Sequence, residues 1–162
     1  MGTMKEGMKL KGVLEIFERK IGEKDWRKIR EVENIITNVG YKSIANRLTG
    51  DGSLSSVTYT HFSISNGTVT PTLTRTAADF LSDGTTFEKV VESFEGFSTP
   101  QLMQQWNCFL ATTENTVASI TKFALMDALS PTNMFNEVKF DAISKDSTKE
   151  FYFRYKLYMT QS

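Results

Sequence analysis

Two residues of this chain are the natural candidates for nucleophilic chemistry. His61 is the only histidine and Cys108 the only cysteine among 162 residues, and such a pair can act as base and nucleophile when the fold brings them together. Cys108 shares an alternating apolar face with Trp106 and Leu110, where a thiol usually packs as a small, inert hydrophobe. His61 lies inside a predicted strand with no catalytic pattern beside it. Both residues are therefore predicted to be structural, and the chain is predicted not to be an enzyme.

Other catalytic patterns are equally weak. Glu88, Glu92 and Glu95 could supply the paired carboxylates of a glycosidase, but they share their segment with Lys89, which is typical of a solvated surface. The stretch TGDGS lacks the later acidic ligands of a calcium loop, and NVGYKS lacks the spacing of a phosphate loop. Cysteine and histidine are too few for a zinc site. No cofactor and no metal are predicted.

The composition excludes several classes of partner. The chain has 19 basic and 19 acidic residues, and this zero net charge argues against a nucleic-acid partner, which requires a basic surface. No apolar run approaches the length of a membrane span, so no membrane partner is predicted. The N-terminal stretch MGTMKEGMKLKG contains no apolar signal-peptide core. The protein is therefore expected to be made and used in the cytoplasm, or to leave it by lysis or within a particle.

The stretch NIITNVGYKSIANRL predicts the one helix of the chain. Its first half is β-branched and typical of a strand, whereas its second half has the i, i+3, i+4, i+7 apolar spacing of a helix. The helix is predicted at about Val39–Leu48, with Asn38 as N-cap and TGDG as its end. It is expected to close one edge or end of a sheet, through four residues facing the core: Tyr41, Ile44, Ala45 and Leu48.

The rest of the pattern predicts about eight strands connected by turns. A long, Thr-rich and partly ordered loop is predicted at 70–86. Strands of this number and spacing favour a mainly β fold, an antiparallel, jelly-roll-like β-sandwich with one short helix after the second strand. Residues 1–162 are predicted to form a single domain, with a short flexible N-terminal segment at about 1–9. The strands are predicted at 10–20, 26–36, 57–65, 87–97, 103–113, 118–128, 134–144 and 151–159.

The last strand, FYFRYKLYM, has two different faces. Its apolar face is expected to enter the core, with Phe151, Phe153, Tyr155, Leu157 and Met159. Its other face is predicted to contact another subunit, because Tyr and Arg are enriched at interfaces. The predicted interface residues are Tyr152, Arg154, Lys156 and Tyr158.

The order of motifs along the chain resembles small virion structural proteins of tailed phages, in the tail-collar, tail-fibre and capsid decoration groups. The resemblance begins at the strand-to-helix stretch and continues through the strand YTHFSIS, the turn SNGTVTPT and the final FDAISKDSTKEFYFRYKLYM. The segment KFALMDA departs from the family, which often has Glu-x-Gly-Leu there. The matching residues are Asn34, Ile36, Thr37, Asn38, Gly40, Ile44, Ala45, Gly67, Thr68, Pro71 and Thr72.

This resemblance implies a virion component that is made in the host cytoplasm and has no catalytic residues. Such a protein would associate with itself, as a trimer by analogy with fibre and decoration proteins, and with other virion proteins of the tail or capsid. The Thr-rich loop at 70–86 is a second expected place for the subunit contact. An alternative from the residues themselves is a carbohydrate-binding module that stacks a sugar on Trp26, Tyr152 or Tyr158. Fold class does not distinguish these two functions.

Overall fold

The computed structural model describes residues 8–50, 52–99 and 102–161. Of the predicted flexible segment at 1–9, residues 1–7 lie outside the described part, and Met8 and Lys9 already belong to the first strand. The elements in chain order are β1 (Met8–Lys20), β2 (Arg27–Ile36), α1 (Asn38–Thr49), β3 (His61–Ser65), α2 (Ala77–Leu81), β4 (Thr86–Val90), β5 (Ser93–Phe97), β6 (Met103–Leu110), β7 (Ser119–Met126), β8 (Asn136–Ser144) and β9 (Lys149–Gln161).

The prediction of a mainly β, antiparallel, sandwich-like fold is confirmed. All the strand pairs are antiparallel, and the strand order is β4-β3-β7-β8-β2-β1-β9-β6-β5. Strands β2 and β8 pair only through Ile35–Glu137 and Ile36–Asn136. This short connection lets the sheet curl into two layers, one with β4, β3, β7 and β8 and the other with β2, β1, β9, β6 and β5.

The segment predicted as one strand at 87–97 is two strands that belong to opposite ends of the strand order. Only Val91 and Glu92 separate β4 from β5. The amide of Val91 donates to Thr60 O at 2.8 Å, on the β3 side, and the amide of Glu92 donates to Asn107 O at 2.9 Å, in β6. The bend therefore carries the chain from one layer to the other and closes this side of the curled sheet.

Aromatic side chains from both layers fill the core. Phe123 of β7 stacks on Phe153 of β9 with ring centroids 5.5 Å apart, and Phe62 of β3 lies 6.3 Å from the same ring. The predicted inward face of β9 is confirmed for Phe151, Phe153, Tyr155 and Leu157, which are all buried. Apolar side chains that alternate along two facing sheets can be buried together, and this burial is the main stabilising contribution to such a fold.

Helix α1 follows β2 as predicted, but only part of its predicted apolar face contacts the core. Its N-cap is Thr37, whose hydroxyl accepts from the Gly40 amide at 3.0 Å, and Asn38 is already helical. The buried helical residues are Gly40 and Ser43, whereas Tyr41, Ala45 and Leu48 are exposed. A Cβ on residue 40 would meet the carbonyl oxygen of Phe135. The helix therefore approaches the backbone before β8 at Gly40. Of the predicted apolar stripe, only Ile44 packs against the core, where it is half-buried.

The Thr-rich loop predicted at 70–86 contains a second, unpredicted helix. Helix α2 has a capping box, in which Thr76 Oγ1 accepts from the Asp79 amide and the Asp79 carboxylate accepts from the Thr76 amide. Its Phe80 is fully buried in a small second cluster with Ala77, Ala124, Met126 and Met134. The segment thus covers the outer face of the layer that contains β7 instead of extending from it.

Candidate functional site

The predicted interface on β9 is an outward, partly buried surface whose side chains already have intramolecular partners. The Lys156 ammonium lies 2.7 Å from the Glu15 carboxylate of β1. The Arg154 guanidinium lies 5.0 Å from the centre of the Phe17 ring, a cation–π distance. The sheet itself therefore orders this surface before any subunit contact forms. The structure places all four predicted residues on it: Tyr152, Arg154, Lys156 and Tyr158.

An aromatic cluster surrounds Tyr152. Its ring centroid lies 5.6 Å from Trp26 and 6.4 Å from Phe109, and the Trp26 ring carries the Arg19 guanidinium at 4.4 Å. Burial, together with the nearby Glu92 carboxylate, raises the pKa of Tyr152 to about 12. The cluster brings together two of the three aromatic residues predicted to contact a sugar, but it packs their rings edge to face against each other.

Tyr158 lies apart from this cluster. Six positions along β9 separate it from Tyr152, or roughly 20 Å at strand geometry. It lines a polar depression of about 570 Å³ beside Lys11 and Glu33, whose charged groups pair at 2.8 Å. The aromatic residues considered for sugar binding thus occupy two separate places.

The structure does not bring His61 and Cys108 together. Cys108 is fully buried in the core, and burial raises the pKa of its thiol well above its ordinary value. His61 precedes the core residue Phe62 in β3, so its side chain projects from the opposite face of that sheet. Its Nδ1 lies 2.9 Å from Thr60 Oγ1. A protonated thiol inside the core and a histidine on an outer face cannot form a nucleophile–base pair.

The acidic residues considered for glycoside hydrolysis are also separated by the fold. Glu88 lies in β4, Glu92 in the bend and Glu95 in β5. Within residues 8–50, 52–99 and 102–161, no three His, Cys, Asp or Glu side chains are grouped closely enough to hold a metal ion. In the same part of the chain, neither helix has the length and hydropathy needed to cross a membrane.

An apolar groove beside α1 is a surface that the sequence did not predict. It has a volume of about 510 Å³ and opens between the helix and the strands β5, β6 and β9. Leu48 on the helix side and Phe94 on the β5 side are 78% and 51% exposed. Exposed apolar surface of this kind often marks a binding site. Its walls include Ile44, Leu48, Val57, Phe94, Trp106 and Met159.

Hydrogen bonds hold the floor of the groove in place. The indole Nε1 of Trp106 donates to Tyr59 O at 3.0 Å, and the Tyr59 hydroxyl lies 2.6 Å from Ser43 Oγ of the helix. Burial raises the pKa of Tyr59, so this hydroxyl stays protonated near neutral pH.

Arg47 is the one charged residue among those that line the groove. No residue of the described chain accepts a hydrogen bond from it or forms an ion pair with it.

The sequence signal for this groove was present in the helical stripe. Ile44 and Leu48 were both predicted to face the core. Ile44 is half-buried and packs against the core while it also lines the groove, whereas Leu48 is exposed on the wall of the groove. Periodicity detects an apolar face of a helix but does not distinguish a buried face from an exposed one. The close approach at Gly40 decides the orientation here.

A buried ion-pair network fixes the segment that contains α2. Lys122 Nζ lies 2.6 Å from both Asp83 and Glu137, and Arg75 Nε donates to Glu137 at 2.6 Å. Burial disfavours ionisation of Asp83, but donation from Lys122 and two backbone amides outweighs it and holds the pKa of Asp83 below its ordinary value. Two cations and two carboxylates compensate one another, as buried charges require. The network therefore has a structural explanation and needs no ligand.

The residues that carry the family resemblance form contacts that hold neighbouring helices, strands and loops together. The Asn34 side chain accepts a hydrogen bond from the Tyr155 hydroxyl at 3.2 Å, at the partly buried margin of the core. Thr37 caps α1 and also donates to Met134 O at 2.6 Å. A Cβ on Gly67 would meet Asp83 of the buried network. These positions shape the junctions between elements.

No known protein family, curated protein or solved structure significantly matches this chain.

Proposed function

We propose that this chain is a non-catalytic structural component of a tailed-phage virion that acts by association with other protein subunits. The observation that carries the proposal is the apolar groove between α1 and β5, with Leu48 and Phe94 exposed on its two sides. A well-packed sandwich that leaves such a surface open is suited to a subunit whose apolar surface becomes covered during assembly.

The positions of Cys108 and His61, the two candidates for nucleophilic chemistry, further support a non-catalytic function. The thiol of Cys108 is buried and protonated, and His61 is on an outer face, away from it. The motif residues that resemble phage virion proteins act at strand and helix junctions, as in the contact of Asn34 with Tyr155. Both features are expected of a protein whose function depends on its shape.

The proposed partners are further copies of the chain and other proteins of the tail or capsid. A trimer is the expected self-assembled state by analogy with fibre and decoration proteins. The outer face of β9 offers an ordered mixed surface, on which Arg154 covers Phe17 and Lys156 pairs with Glu15. Many weak contacts repeated across a symmetric particle add up to firm attachment. The chain would be made in the host cytoplasm and end in the virion.

The test is to locate the protein in particles of the virus that encodes it. An antibody against the purified chain should label intact virions in electron micrographs, and density-purified virions should contain the chain in a fixed ratio to the major capsid protein. A control with virions from an unrelated phage should remain unlabelled. Recovery of the chain only from the soluble lysate, with none in the particles, would contradict the proposal.

A glycan-binding module is the second candidate, and the cluster of Trp26, Phe109 and Tyr152 on the outer surface is the observation that favours it. Aromatic rings at a half-buried site can stack on a sugar. The Arg19 guanidinium already covers the Trp26 ring, so a sugar would have to displace it. A glycan array compared between the native protein and Trp26→Ala separates the two functions, because the virion role requires no glycan signal.

A further inference from the structure

We propose that Lys122 and Asp83 condense into an intramolecular amide crosslink, with Glu137 as the acid–base residue that moves the protons. The inference goes beyond the proposed function and does not depend on it, because it concerns a covalent modification inside one chain. The Lys122 ammonium lies 2.6 Å from one oxygen of Asp83 and 2.6 Å from one oxygen of Glu137. The crosslink joins the segment that follows α2 to strand β7.

The first argument is the position of the amine beside the carboxyl group. The side chains of Lys122 and Glu137 are fully buried, and that of Asp83 is 10% exposed. The Asp83 carboxyl carbon is one covalent bond beyond the oxygen that Lys122 contacts, so Lys122 Nζ lies within about 4 Å of it. Two groups that a rigid fold holds in contact react as if they were very concentrated. The buried surroundings also leave little water to reverse the reaction.

The second argument is that backbone amides polarise the Asp83 carboxyl group. The amide of Thr68 donates to Asp83 Oδ1 at 3.1 Å, and the amide of Val69 donates to Oδ2 at 3.1 Å. Attack by an amine on the carboxyl carbon places negative charge on an oxygen, and fixed amide donors stabilise that charge. Oδ1, which the Thr68 amide binds, stays in the amide. Oδ2, which lies beside Lys122, leaves as water.

The third argument is that Glu137 can carry the protons that the reaction moves. Glu137 and Asp83 both contact the Lys122 nitrogen, so a proton has a short path between them. Glu137 first passes a proton from the Lys122 ammonium to Asp83 Oδ2, which gives a neutral amine and a neutral carboxyl group. The amine attacks the carboxyl carbon, and Glu137 then passes a second proton from nitrogen to Oδ2. The C–Oδ2 bond breaks, one water leaves, one hydrogen stays on the amide nitrogen, and Glu137 ends ionised as it began.

The fourth argument is the charge balance of the product. Condensation removes one cation and one carboxylate together, so Arg75 and Glu137 remain as a neutral pair at 2.6 Å. No buried charge therefore loses its compensation. In the ion-paired state the pKa of Asp83 is below its ordinary value, so the neutral carboxyl group is rare and the reaction is slow. Freshly prepared protein thus retains the ion pairs, and the crosslink accumulates with time.

The test is the intact mass of the full chain after the folded protein has been incubated for weeks below its unfolding temperature. A sample kept in urea from purification onward is the reference, because the unfolded chain does not hold the two groups together. We expect the folded protein to lose the mass of one water molecule. Proteolysis should then release a branched peptide, and its fragmentation spectrum should place the branch between Lys122 Nζ and Asp83.

A succinimide would cause the same loss of mass and must be distinguished from the crosslink. Asp83 precedes Gly84, and an Asp-Gly sequence can lose water by cyclising on its own backbone. Hydroxylamine cleaves a succinimide and leaves an amide crosslink intact. Lys122→Arg keeps the buried cation but removes the amine, so it should prevent the crosslink. Lys139→Arg is the matched control, since it makes the same change at the exposed position opposite Lys122 in β8 and should leave crosslinking unchanged.

Glu137→Gln tests the proton carrier and should slow crosslinking by at least about tenfold, as expected for loss of general acid–base catalysis. Circular dichroism identifies the variants that fold, and the branched peptide of the native chain decides the inference even where a variant does not. A native chain that keeps its full mass would overturn the inference, as would a loss of water that hydroxylamine shows to be a succinimide only. A folded Glu137→Gln protein that crosslinks at the native rate would overturn the role of Glu137.

Discussion

The side chains of Lys122 and Glu137 are both fully buried, and their charged groups lie 2.6 Å apart between neighbouring strands β7 and β8. The second oxygen of Glu137 accepts from Arg75, and Lys122 also binds Asp83. Arg75 and Asp83 flank α2 on the chain, whereas Lys122 and Glu137 belong to the sheet. The network therefore holds the helix-bearing segment onto the sheet, and each charge depends on the others.

We expect Lys122→Met to destabilise the protein by about 3–5 kcal/mol, because removal of Lys122 leaves Arg75 as the one cation beside two buried carboxylates, and one negative charge is then uncompensated. Urea unfolding followed by tryptophan fluorescence measures the loss. Lys11→Met is the control, since Lys11 forms an ion pair with Glu33 in which both side chains are largely exposed, and it should cost much less. A Lys122→Met protein as stable as the native one would mean that the network does not hold the segment.

The same network predicts a pH dependence. The pKa of Asp83 is lower in the folded state than its ordinary value, so the stabilisation from its charge is present above that ordinary value. It is lost as the pH falls through the folded pKa. Native stability should therefore fall more steeply than that of Asp83→Asn below about pH 4. Urea midpoints measured from neutral pH downward test this, and parallel curves for the two proteins would exclude Asp83 as a contributor.

Gly40 provides a prediction about α1. A Cβ at this position would meet the carbonyl oxygen of Phe135, so Gly40→Ala forces the helix away from the backbone before β8. The expected loss is about 1–3 kcal/mol, typical of overpacking, although alanine favours helix over glycine. Thermal unfolding measures the change, with exposed Lys42→Ala of the same helix as control. Stabilisation by Gly40→Ala would show that the helix can shift freely.

The sequence predicted the elements whose pattern is local. Strand β9 alternates apolar and polar residues over its whole length, and Phe153 and Tyr155 are buried as that pattern requires. Helix α1 was predicted from its periodicity, close to its true bounds. The same signal placed Ile44 against the core correctly, but it did not predict that Gly40 and Ser43 are the buried residues of α1, because their burial depends on contacts with distant parts of the chain such as the Phe135 carbonyl.

The remaining differences have similarly non-local causes. The bend between β4 and β5 contains no Gly or Pro, so the sequence shows no turn signal there. The bend forms because the amides of Val91 and Glu92 donate to residues in two different layers, and a short stretch of sequence does not reveal those distant partners. Helix α2 is only Ala77–Leu81, and tertiary burial of Phe80 stabilises it more than its own propensity. The groove arises where α1, β5 and β9 meet, and the predicted interface on β9 faces elsewhere. An association surface of this kind is hard to predict from sequence, because it depends on which side of each helix or strand the rest of the fold leaves exposed.

Cys108 should behave as a buried structural thiol. Burial, and to a smaller extent the Glu92 carboxylate, raise the pKa of this group, so little thiolate exists at neutral pH. We expect a soluble aromatic disulfide to react with native Cys108 far more slowly than with the urea-unfolded chain. Cys108→Ala and His61→Ala should both enter virions and support infection. A folded, normally incorporated His61→Ala protein that abolishes infection would contradict the non-catalytic function.

The outer face of β9 remains a predicted contact surface in addition to the groove, and Tyr158 is the position that tests it. Tyr152 packs on Trp26 and Phe109, so Tyr152→Asp also weakens the fold, whereas Tyr158 lies at the edge of an open depression. We expect Tyr158→Asp to weaken self-association measured by light scattering while leaving the urea midpoint unchanged.

If the outer face of β9 and the groove are independent contacts, the free-energy changes of association caused by Tyr158→Asp and by Leu48→Ser, which removes an exposed apolar side chain from the groove, should add in the combined variant. The double variant Tyr152→Asp/Tyr158→Asp should weaken self-association no more than Tyr158→Asp alone, apart from any further loss that comes from its lower folding stability. Native association in Tyr158→Asp would exclude this end of β9 as a contact. The next surface to test would then be the segment at 70–86, where Leu73 is 51% exposed even though α2 and the buried ion pairs hold the rest of the segment against the sheet.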